Sequence, residues 1–303
     1  MSSDPSAEIL GLFFQRQALS YLAIATASLL AFDILLGLFQ DIRILSKHTL
    51  KLADLVYILS RLVALGVAST NGIFSISPIN SCIQQPALLA MGIFSAILIP
   101  CNSWLFLLRI RAIPPQFRSK TTVVICTILW LSTFTSFLAL PAFTFSSQPT
   151  HEGRCGFKIN AFNRWLVFTP YVTLIVFDTT TMIAILAGFA MHSPDSSWIP
   201  KIKSVISIKH MGHLSGVFVR SGLIYYLATI GIHLSLLVIV SSFTVPSSII
   251  GELSVLVSIF HNIMTCRVFR LLKLEAFHRS SFSLRVTHPI ATGTIVFQHS
   301  LDE

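Results

Sequence analysis

The residues able to do chemistry in this 303-residue chain are few, and most of them interrupt long apolar runs. Asp33, Arg61, Asp178, His233, Glu252 and His261 each stand inside such a run. A charged group at the centre of a bilayer costs about 2.5–3.5 kcal/mol on insertion scales, so each needs a partner, a neutralising proton or a function. Counted at about 1.5 Å per residue, Asp33 lies about 9 Å and Arg61 about 13 Å from the same end of two consecutive runs. An ion pair between them is therefore expected, serving either to fix helix packing or as a polar switch. Asp178 sits in Phe177-Asp178-Thr179-Thr180-Thr181, where the threonines are local donors. A structural role as a neutral acid and a ligand or proton role both remain open for it.

Glu252 and His233 lie at matching depths on either side of a short link. They are expected to interact and, with Asp178, to line an outward-facing ligand cavity. His261 and Asn262 read as packing residues near the other face, level with Asp33. With His233 and His261 placed at opposite faces, the pair does not share a metal, so no metal centre, catalytic residue or cofactor is expected. A His151-Glu152-Cys155 cluster matches no common zinc spacing.

These residues must be positioned by membrane helices. The chain is 53% hydrophobic and only 11% charged, with a mean hydropathy of +0.78. Soluble domains carry about 25% charged residues. Seven apolar runs are evident: Gln17–Phe39, Leu52–Ile76, Pro86–Leu108, Thr121–Phe145, Arg164–Met191, Gly216–Val240 and Ser247–Cys266. The third, uncharged over 23 residues, reaches about 34 Å as a helix, enough to cross a hydrocarbon core of about 30 Å. Pro100 and Pro170 are expected to kink their helices. The fold class is an all-α seven-helix transmembrane bundle, preceded by an extracellular segment at 1–16 and followed by a cytosolic tail at 267–303.

The net charge of +9 does not point to nucleic acid, because the basic residues sit between apolar runs. Of the 21 Lys and Arg, sixteen fall in the first, third and fifth links, the tail and the start of the sixth span. By the positive-inside rule this places the N-terminus outside and the C-terminus in the cytosol. Cys82 and Cys155 are then the two cysteines on the oxidising side, and a disulfide between them would pin the longest outer link over the bundle. Two free thiols are the alternative. Arg267 to Phe277 alternates basic and apolar residues and reads as an amphipathic helix on the inner leaflet.

Several segments resemble a family of uncharacterised seven-span membrane proteins from mushroom-forming (basidiomycete) fungi, which carry an N-terminal domain of unknown function over spans one and two. The similar residues are Phe32-Asp33-Ile34-Leu35-Leu36, Leu55-Val56-Tyr57-Ile58-Leu59-Ser60-Arg61, Val176-Phe177-Asp178-Thr179-Thr180, Val219-Arg220-Ser221-Gly222-Leu223-Ile224-Tyr225-Tyr226 and Met264-Thr265-Cys266-Arg267-Val268-Phe269-Arg270. Leu62 stands where that family usually has an aromatic residue, and Ser221 where an aspartate is common. The resemblance implies a receptor-like fungal membrane protein with no established ligand, and the plasma membrane is the expected location.

Architecture and resemblance together lead to a non-enzymatic, receptor-like protein that senses an external or membrane-borne small molecule. Its basic inner loops would face a G protein or anionic lipid. The usual receptor motifs are missing: no acidic residue precedes Arg109, and span seven has no Asn-Pro-x-x-Tyr run. Span seven also has no lysine for a retinal Schiff base. A transporter, a structural membrane protein and an intramembrane zinc hydrolase are the alternatives.

Overall fold

A computed structural model describes residues 5–46, 51–76, 84–112, 120–144, 161–190, 213–242, 245 and 247–286. Its seven helices are α1 (Pro5–Ser46), α2 (Leu52–Ile76), α3 (Gln84–Ala112), α4 (Lys120–Thr144), α5 (Ala161–Ala190), α6 (His213–Ser241) and α7 (Ser247–Val286). All seven are long and apolar enough to cross a membrane, and no strand occurs among the described residues. Cys82 and Cys155, and with them the expected disulfide, lie outside the described residues, as does the His151-Glu152-Cys155 segment.

Consecutive helices pack side by side, and α7 closes the ring against α1. Helices α3 and α7 are the inner pair: α7 touches α1, α2, α3 and α6, and α3 touches α2, α4, α5 and α7. The span of α7 is 61% buried, against 17% for α4. The outward faces carry Phe39, Leu35 and Val238, each more than half exposed. In lipid that arrangement costs nothing, because hydrocarbon tails solvate such side chains. Polar residues turn inward instead, since lipid offers their hydrogen-bonding groups no partner.

Local chemistry sets several helix ends. Asp54, at the third position of α2, accepts a hydrogen bond from the Lys51 backbone N–H (3.0 Å), half of a capping box. The longest difference from the sequence expectation is in α7. It does not end at Cys266 but runs unbroken to Val286, because no glycine or proline interrupts residues 252–286. The segment after Cys266 is therefore not a separate helix lying on the leaflet. Its Arg270 is buried, and Arg267, Arg270 and Lys273 all reach carboxylates of α1 or α2.

Candidate functional site

Short of its basic end, hydrogen bonds tie α7 to the rest of the bundle at three levels. At the end near Ser247, Glu252 accepts hydrogen bonds from Asn71 Nδ2 (2.8 Å) and Ser75 Oγ (3.1 Å) of α2. Near mid-span, Asn262 Nδ2 donates to Asn102 Oδ1 of α3 (2.9 Å). One turn on, Arg109 Nη2 donates to the Thr265 carbonyl (3.1 Å).

At the basic end the anchor is Asp33 of α1. Arg61 Nη1 lies 2.6 Å from Asp33 Oδ2, a close ion contact without hydrogen-bond alignment. The expected pair is thus present, but two more arginines join it. Arg267 Nε (2.8 Å) and Arg270 Nη2 (3.1 Å) both donate to Asp33 Oδ1. Arg270 also reaches Asp41 at 3.8 Å, and Asp41 accepts from the Tyr57 hydroxyl (2.6 Å). Phe269 stacks on Tyr57 with ring centroids 4.8 Å apart, and Lys273 pairs with Asp54. Gly37 makes room for this clasp: a Cβ there would stand 1.4 Å from Arg270 Nη1. Sequence reasoning missed Arg267 and Arg270. The signal was their spacing of three on a helix with no breaker before it, which puts both on one face.

The second centre lies at mid-bundle. Asp178 of α5, His233 of α6 and His261 of α7 come together with one ligating atom from each within 4.8 Å of the others. Their exposures are 1%, 1% and 0%. The two imidazoles meet edge to face, centroids 5.1 Å apart. This overturns the placement of His233 and His261 at opposite faces. The apolar span of α7 reaches Leu274 rather than Cys266, so His261 stands near its middle, as His233 and Asp178 do in theirs.

Glu252 is not part of this centre. It precedes His261 by nine residues on one helix, about 13 Å along the axis, and its carboxylate is engaged by α2. The expected Glu252–His233 contact is therefore replaced by a His261–His233 contact. Nor do the threonines after Asp178 serve it: Thr180 donates to the Val176 carbonyl, and both Asp178 oxygens lack a hydrogen-bond partner. His233 Nε2 and both His261 nitrogens are likewise without one. His233 Nδ1 lies 2.7 Å from the Thr229 carbonyl, which can only accept. Nδ1 therefore carries the proton, and in the neutral ring Nε2 presents a lone pair to the centre.

Phe106 of α3 borders the cluster. Its ring lies 5.7 Å from His261 and 4.7 Å from Tyr226, and the Arg109 guanidinium sits 4.5 Å above it. Three buried polar side chains from three helices thus converge in an apolar setting, next to a buried cation.

Seven apolar helices with inward-facing polar groups make the chain an integral multi-pass membrane protein with a seven-helix bundle. Comparison with protein-family models, curated proteins and solved structures gives no match.

Proposed function

We propose that this protein is a receptor-like membrane sensor that holds a small ligand at the Asp178–His233–His261 centre and reports it through α7. The observation that carries the reading is the shared helix. His261 belongs to the unpartnered centre, and six residues on, about 9 Å along the axis, Arg267 begins the clasp on Asp33. A ligand that draws His261 toward α5 and α6 alters how α7 bears on α1 and α2 at the basic end. With the N-terminus outside and the C-terminus in the cytosol, as the Lys and Arg distribution favours, that end faces the cytosol of a plasma-membrane protein. A G protein or anionic lipid would meet it there. The resemblance to receptor-like fungal membrane proteins agrees with this reading, and no catalytic step is assigned to it.

The test uses the full chain in lipid nanodiscs. Amide exchange across α7 beyond Cys266 is compared between wild type and His261→Leu, and between wild type with and without compounds found by thermal shift. The reading expects both the substitution and a centre-dependent compound to change exchange at the clasp. Exchange there that is indifferent to the centre overturns it.

A further inference from the structure

We infer that the mid-bundle centre is a binding site for a divalent transition-metal ion of the zinc class. Its ligands would be His233 Nε2, a ring nitrogen of His261 and a carboxylate oxygen of Asp178. The inference deepens the sensing reading by naming what the centre holds.

Among the described residues, only these three side chains of His, Cys, Asp or Glu gather their ligating atoms in this way, within 4.8 Å of one another. Ligands about 2.0–2.1 Å from a tetrahedral ion stand roughly 3.3 Å apart. The present spacing, within 4.8 Å, is wider than that by at most about 1.5 Å.

Burying a polar group without a partner costs about 1–3 kcal/mol. Here both Asp178 oxygens, His233 Nε2 and both His261 nitrogens lack one. Unpartnered groups gathered this closely, with lone pairs on His233 Nε2, one His261 nitrogen and Asp178, suit a cation. Two imidazoles and one carboxylate form a donor set suited to zinc and its first-row neighbours.

Metal-bound histidines characteristically donate their other ring N–H to a carbonyl or carboxylate, which fixes the tautomer. His233 does so through Nδ1 to Thr229 O at 2.7 Å. The buried Arg109 next to Phe106 adds a positive charge near the site. It opposes a bare dication and favours an anion, hydroxide or a carboxylate, at the ion's open position. An ion held by the Asp178 carboxylate and two neutral imidazoles keeps one net positive charge, which such an anion offsets.

The probe is zinc chloride, added to the full chain purified metal-free in detergent and then desalted. Wild type is expected to retain one equivalent by elemental analysis. Asp178→Asn, His233→Gln and His261→Gln should each weaken zinc binding by more than about tenfold, while Glu252→Gln keeps the full equivalent. Helical circular dichroism and monodisperse elution qualify each variant. Because a variant can fail to fold, X-ray absorption of the zinc-loaded wild type supplies a second readout. It should show two imidazoles plus oxygen ligands. No retained equivalent, a spectrum with sulfur or more imidazoles, or zinc persisting when Asp178→Asn, His233→Gln and His261→Gln are combined in one chain overturns the inference. The first of these outcomes points to a buried water in the centre. Zinc bound in the centre with no change at the α7 clasp would sink the sensing reading while the metal site stands. A site-dependent organic ligand without zinc would do the reverse.

Discussion

Asp33 and Asp178 are equally buried, each 1% exposed, yet they live in opposite surroundings. Three guanidinium groups from α2 and α7 close on Asp33. No hydrogen-bond donor reaches either oxygen of Asp178. Burial alone therefore does not tell a satisfied carboxylate from an unsatisfied one; the state of its partners does. The clasp at Asp33 joins α1, α2 and α7 into one body. The centre at Asp178 leaves α5, α6 and α7 with polar groups that favour a further occupant.

The largest expected effect breaks the clasp. Asp33→Ala strands Arg61 and Arg270, whose side chains are 9% and 5% exposed. Removing one member of a buried pair typically costs about 3–5 kcal/mol. The midpoint of heat-induced loss of monodisperse protein in detergent should fall sharply. An unchanged midpoint would show that the arginines find other partners.

The same treatment at the other centre should act in the opposite direction. His261→Leu removes two unpartnered nitrogens from a fully buried site of similar volume. In metal-free protein it should raise stability by about 1–3 kcal/mol, the penalty for buried unsatisfied polar groups. A midpoint that falls instead means that His261 already has a stabilising partner and that the contrast with Asp33 is wrong.

Gly37 sharpens the account of the clasp. An added methyl would overlap the Arg270 tip, only 1.4 Å from the Cβ position. The guanidinium can swing away, but only by leaving Asp33 and Asp41. Gly37→Ala should cost about 1–3 kcal/mol as an overpacking change. In an Arg270→Ala background the same substitution should cost less than about 0.5 kcal/mol. A double-mutant cycle on thermal midpoints reads the difference, and equal costs in both backgrounds would detach Gly37 from the clasp.

Much of this contrast could be read from sequence, but unevenly. The seven spans follow from apolar run length, which depends on bilayer thickness and hardly at all on tertiary detail. The Asp33–Arg61 pair follows from a short link and matching depths. Depth arithmetic failed in α7 because Arg267 and Arg270 looked like the end of a span. Arg270 is buried and Arg267 half-buried, and both bond to Asp33, so the apolar span runs past them and its midpoint moves to His261. That shift separated Glu252 from His233 and joined His261 to it. Which face of a helix meets which neighbour is a packing outcome, and in spans apolar on all sides the pattern does not encode it.

The smallest expected effect concerns Glu252, another buried carboxylate at a helix interface, and it tests whether partner state is the right criterion. Glu252 is satisfied like Asp33, but by neutral donors, Asn71 and Ser75. Removing its charge therefore strands no cation. In Glu252→Gln the amide oxygen still accepts from one of the two donors, so the loss is about one hydrogen bond, roughly 0.5–1.5 kcal/mol. Glu252→Ala loses both and leaves the buried Asn71 amide without an acceptor, so it should cost more. The graded series, measured by thermal midpoint, should run from Glu252→Gln through Glu252→Ala to Asp33→Ala. If Glu252→Gln is as damaging as Asp33→Ala, charge at this end of α7 matters beyond the two hydrogen bonds, and the division into satisfied and unsatisfied carboxylates loses its force.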